Sequence, residues 1–177
     1  MKQTHPTGLV PGFLVVLLLL ASCSTSPSRE LSQLEERHPD PALSPRDVVA
    51  IQLEAFRNND DADSGIEVAF RFASPDNRAV TGPASRFATM MRGEAYRIML
   101  DYDSVVYGVM VQDEDVAVQR VALARNGEVW IYDFHLRRQV TAPYEDCWMT
   151  EAVRIVPIQQ RRIDPIPEGL PDSQLTV

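Results

Sequence analysis

The dipeptide Asn126-Gly127, set between two valine-rich stretches, leaves this chain few ways to fold. Both residues tolerate the positive φ of a type I′ turn, so the segments on either side are predicted to pair as an antiparallel hairpin. Four β-patterned segments follow Tyr96: Ser104 to Gln112, Val116 to Ala124, Glu128 to Arg138 and Cys147 to Val156. They read as an antiparallel meander. Alternation along the third puts Trp130, Tyr132, Phe134 and Leu136 on one face and Val129, Ile131, Asp133, His135 and Arg137 on the other. One face is apolar throughout, and the other turns polar halfway.

Before Tyr96 the period changes to that of helices. Ser44-Pro45-Arg46-Asp47 is a helix start, with a serine cap, proline where no N–H is needed and an acid three residues on. Val49, Leu53 and Phe56 then share a face. The run Asn58 to Asp61 interrupts, and Ala62, Ile66, Ala69, Phe70 and Ala73 form a second stripe that Ser74-Pro75 is expected to end. A third, shorter helix opens near Thr81-Gly82-Pro83, carries Phe87, Met90 and Met91 on one side, and stops at Gly93. Three N-terminal helices covering one face of an antiparallel sheet of about four strands make an α+β domain, predicted over residues 44–156.

The N-terminus has a different composition. Lys2 precedes the apolar run Phe13 to Leu20, which has the form of an export signal and falls short of the ~20 apolar residues that span a bilayer. Leu20-Ala21-Ser22-Cys23 resembles the lipobox of bacterial lipoproteins. The resemblance implies cleavage of residues 1–22, a diacylglyceryl group on Cys23 and, with serine at position 24, passage to an outer membrane facing the periplasm. Acyl chains contribute about 0.8 kcal/mol per buried CH₂, so such an anchor would hold through lipid alone. The remaining 155 residues carry a formal charge that the loss of Lys2 takes from −8 to about −9, which disfavours nucleic acid as a partner. With Cys23 acylated, Cys147 is the sole thiol and no internal disulfide can form. Residues 23–43 read as a flexible tether, and a helix around Leu31 to Arg37 has too few apolar positions to hold alone. The proline-rich residues 157–177 read as a disordered tail.

Four strings suggest a family: Arg71-Phe72-Ala73-Ser74-Pro75-Asp76-Asn77-Arg78; Thr81-Gly82-Pro83 with Arg86-Phe87-Ala88 and Met90; Tyr96 with Met99-Leu100; and Cys147-Trp148-Met149-Thr150. They resemble the motifs of the domain of unknown function 4864 family, of the nuclear-transport-factor-2-like or cystatin-like superfamily. The resemblance implies a cone-like sheet wrapped against the helices, often with a pocket in the cone mouth, and frequently a dimer. It implies no activity.

Chemistry is sparse. One histidine (His135) and one free cysteine in the domain cannot build a closed zinc site, and isolated glycines give no phosphate loop. No cofactor or metal is expected. The expected function is a non-catalytic envelope module binding a small apolar molecule or a protein, with Tyr102, Tyr107, Trp130, Tyr132 and Trp148 as pocket-lining candidates. The competing expectation is a pocket enzyme of isomerase or dehydratase type, drawing on Asp133, His135 and a tyrosine among Tyr102, Tyr107 and Tyr132. Strand alternation argues against it by separating Tyr132 from Asp133 and His135. Cys147, beside Glu145 and Asp146, reads as a buried structural thiol. Met90 and Met91 read as gap-filling core, and Asn59 to Asp63 as a solvated loop lacking a calcium spacing. Val129 and Ile131 on the far face predict a homodimer, with Asp133, His135 and Arg137 at its polar edge.

Overall fold

The computed structural model describes residues 32–157. The signal, Cys23 and nearly all of the expected tail therefore lie outside the described residues. Helices come first: α1 (Pro45–Arg57), α2 (Ser64–Arg71), α3 (Pro75–Thr81) and α4 (Ala84–Met91), then a 3₁₀ turn at Arg97–Leu100. Strands β1 (Ser104–Asp113), β2 (Val116–Arg125), β3 (Glu128–Arg138) and β4 (Trp148–Val156) complete an antiparallel meander in the order β1-β2-β3-β4. Among the described residues no helix is long and apolar enough to cross a membrane.

The helix start at α1 is built as its sequence dictates. Asp47 N–H donates to Ser44 Oγ, and the Asp47 carboxylate accepts from the Ser44 N–H at 2.9 Å and from its hydroxyl at 2.6 Å. Those bonds hold the Asp47 carboxyl below its usual range. Ser74-Pro75 departs from expectation. It ends α2 and at once starts α3, a helix the apolar pattern did not announce because none of its residues is buried. Ser74 caps α3 by accepting from the Asn77 N–H at 3.1 Å, and Pro75 takes the first helical position. Between Ser44 and Tyr96 the helical layer thus has four α-helices where three were expected. The second is shorter than its stripe, with Ala62 and Ala73 both outside it.

Asn126 (φ 50°) and Gly127 (φ 82°) take the two left-handed positions of the β2–β3 hairpin. Tyr132, Phe134 and Leu136 are buried on the inner face, with Trp130 packed at its margin. Opposite them, Leu53, Phe56, Ile66, Phe72 and Met99 close the core. Two bulges break the register. One in β1 sets Gly108 and Val109 opposite Arg120, and one in β4 leaves Glu151 without a partner between Leu136↔Thr150 and His135↔Ala152. Bulges bend and twist a strand, which curves the sheet around the helices.

The expected tether is shortened at its domain end. Residues 32–35 are helical, Leu34 is buried in the core, and Arg71 Nη1 donates to the carbonyls of Glu35 and Arg37 at 2.8 Å each. Packing against the domain supplies what three apolar positions alone could not.

Candidate functional site

Between the helical layer and β4, which is the sheet edge, lies a cavity of about 360 Å³. α1 contributes Gln52 and Phe56; α4 contributes Phe87, Met90 and Met91; Tyr96, Met99 and Phe134 close the back. Asp76, Asn77, Val80 and Thr81 of α3 form one lip, and Thr150, Glu151, Ala152 and Val153 of β4 form the wall to which that lip is bonded. Four consecutive strand residues on one wall is a consequence of the bulge at Glu151, since a regular strand would present alternate residues only.

The walls are apolar and the polar atoms near them are largely spoken for. Thr150 Oγ1 donates to Gln52 Oε1 at 2.7 Å, and Gln52 Nε2 donates to the Ala69 carbonyl at 3.0 Å. The Thr150 carbonyl accepts from the Ser74 N–H and from Asn77 Nδ2, each at 3.0 Å, while its N–H donates to the Phe72 carbonyl at 2.9 Å. These bonds pin residues 72–77 to the sheet edge and fix the cavity's depth. Thr81 Oγ1 donates to the Asn77 carbonyl, and the Tyr96 hydroxyl to the Val153 carbonyl.

Residues 40–163 match the family described as Domain of unknown function (DUF4864). The chain belongs to that family. No curated protein and no solved structure matches it. The four strings singled out in the sequence converge on the cavity: Ala73, Asp76, Asn77, Thr81, Phe87, Met90, Tyr96, Met99 and Thr150 all line it and all lie in those strings.

None of the five aromatic residues expected to line a pocket lines this cavity. Tyr102 is buried between α1 and the sheet, its hydroxyl donating to the Leu53 carbonyl at 3.2 Å, and burial pushes its pKa up to about 12. Tyr107 packs under the Arg46 guanidinium, 4.7 Å from its ring centre. Tyr132 is wholly buried, donates to the Ala95 carbonyl at 2.7 Å and stacks on Tyr96. Trp130 packs against the core, and Trp148 is buried with Arg138 over its ring. All five serve the core or its margin, and the cavity falls to Tyr96, three phenylalanines and three methionines instead. Met90 and Met91, read as core filling, stand on its wall, and so does Met99; thioether chains of this kind adapt to irregular shapes.

Asp133 and His135 point away from the cavity. Asp133 accepts from Arg120 Nε and Nη2 at 2.8 and 2.7 Å on the outer face, and those bonds keep its carboxyl acidic. His135, beside it on that face, is pushed toward its neutral form by partial burial and by Arg154. The acid, histidine and tyrosine of the isomerase-type expectation are not brought together. Cys147 is buried, and burial with Asp40 and Asp146 nearby raises its pKa, the behaviour of an inert thiol.

Proposed function

We propose that the protein is a lipid-anchored module of the cell envelope, held through Cys23, most consistent with an outer-membrane lipoprotein facing the periplasm, and that it holds a small apolar molecule in the cavity between the helices and β4. The observation that supports the binding reading is an apolar-walled hollow between the helices and β4, on which the strings singled out in the sequence converge. A fold that served stability alone would fill such a space, because an empty apolar cavity forfeits packing. By liquid volume the hollow suits a molecule of about a dozen non-hydrogen atoms. Anchoring rests on Leu20-Ala21-Ser22-Cys23. We further propose that the outer sheet face pairs with a second copy.

Two measurements test the proposal. Labelled palmitate is expected to enter the chain, and Cys23→Ala to abolish both labelling and membrane fractionation. A mutant that stays in the membrane removes the anchor reading. Native mass spectrometry of protein taken from its own envelope is expected to show a mass excess that a denaturing spectrum lacks. An identical intact mass in both speaks against a resident ligand.

A further inference from the structure

The cavity walls carry charge of one sign only. Asp76 of α3 and Glu151 of β4 both line it, and among the described residues no lysine, arginine or histidine does. Neither oxygen of Asp76 has a hydrogen-bond or ion-pair partner among the described residues. Glu151 accepts from Gln139 Nε2 at 3.2 Å through one oxygen, leaving the other without one. The nearby guanidinium of Arg78 is stacked 5.1 Å over the Tyr144 ring. The remaining polar side chains of the lining, Gln52, Asn77, Thr81 and Thr150, are engaged with one another or with backbone. The side-chain groups left to a visitor are therefore carboxylate acceptors at the mouth and apolar surface behind them.

Resting on the reading of this cavity as a ligand site, we propose that its ligand is an amphiphile with a compact apolar body and a cationic head, the body seated among Phe56, Phe87, Met90 and Phe134 and the head between Asp76 and Glu151. A carboxylate or phosphate head is turned away, because it would meet two like charges without a counter-ion. A neutral head is accepted without preference. Charge selection at a partly solvated mouth is screened by salt, whereas burial of the body is not.

The test uses the full chain, purified from the cell fraction that holds it and kept in zwitterionic nanodiscs if membrane-bound, with protein-free discs as the blank. Phenylbutylamine, phenylbutanol and phenylbutyrate share one body and differ in head charge, and each is titrated calorimetrically. The expected order is amine, alcohol, carboxylate. The amine should bind about tenfold tighter than the alcohol at low salt, as one charge-assisted hydrogen bond predicts, and the gap should narrow in high salt. In Asp76→Asn/Glu151→Gln the amine preference should disappear while alcohol binding and melting temperature hold. If alcohol and carboxylate bind as well as the amine, the cationic head is wrong and the apolar cavity stands. If the double variant keeps the preference, the assignment of the head to these two carboxylates is wrong. If none of the three binds, the reading of the cavity as a ligand site falls with it.

Discussion

Tyr132, Tyr102 and Tyr107 put phenol groups into the apolar layer, and each has its pKa raised chiefly by that burial, Tyr102 to about 12. A raised pKa means that the folded state holds the proton more tightly than the unfolded chain, whose tyrosines titrate near ~10. Their contribution to stability is therefore complete below that value and is lost as pH rises through the folded pKa values. The denaturation midpoint is expected to be flat from neutral pH to about 9.5 and to fall steeply above ~10, with tyrosinate absorbance rising together with unfolding. Ionisation of all five tyrosines while the fold persists would contradict this. Alternation along β3 put Tyr132 on the inner face but could not tell core from pocket wall, whereas its neighbours' acidity made Cys147 legible as an inert thiol. The cavity residues were not legible in that way. Gln52 and Thr150 meet across 98 positions of chain, and Asp76 gains its meaning only because a bulge turns Glu151 toward the same hollow. Pairings over such distances leave no local period.

Helix α2 owes its position to a glycine. A Cβ on Gly65 would lie 2.1 Å from the Ala55 carbonyl oxygen and 2.8 Å from the Asn59 Cα, both backbone atoms that cannot swing aside. Gly65 thus lets the N-terminus of α2 press against the end of α1, where Asn59 Oδ1 accepts from the Ile66 N–H at 2.9 Å. Gly65→Ala must push the helices apart and loosen Ile66 and Ala69, both buried, at a cost of about 3 kcal/mol, the upper range for overpacking. Chemical denaturation should show this as a lower midpoint with an unchanged slope; a loss under ~1 kcal/mol would mean that α1 and α2 are not held at this approach. At the scale of elements the sequence was more readable than at the cavity, since the Ser44 cap, the Asn126-Gly127 hairpin and the extent of β3 all follow from local chemistry. Helix α3 escaped because it buries nothing, so no apolar stripe marks it. Only the Ser74-Pro75 punctuation did, and that pair can close one helix while opening the next.

At the scale of the whole molecule, none of the described residues covers the outer face of the sheet. In register, Val106, Ala122, Ile131 and Val156 form a row across all four strands, and Val111, Val118, His135 and Ala152 form a second. Val106, Val109 and Val111 are 64, 73 and 63% exposed, a density of bare valine that a solitary sheet has no use for. Between the rows runs Arg120, Asp133 and Arg154, a charged line containing both signs. A two-fold axis through this line would cover both apolar rows and bring the line's charges of both signs against the same line of the second copy. Apart from Ala152, no residue of these rows or of the charged line between them lines the cavity. We expect the protein to sediment as a dimer at micromolar concentration. Ile131→Asp places an unpaired charge at the centre of the contact and should yield a folded monomer. Because Ile131 is half-buried in the single chain, Val106→Asp serves as the companion variant: its side chain is already exposed, so it should dissociate the dimer with little change in melting temperature. A wild-type monomer under these conditions, or a dimer that survives both substitutions, would show that the outer face is not where copies meet.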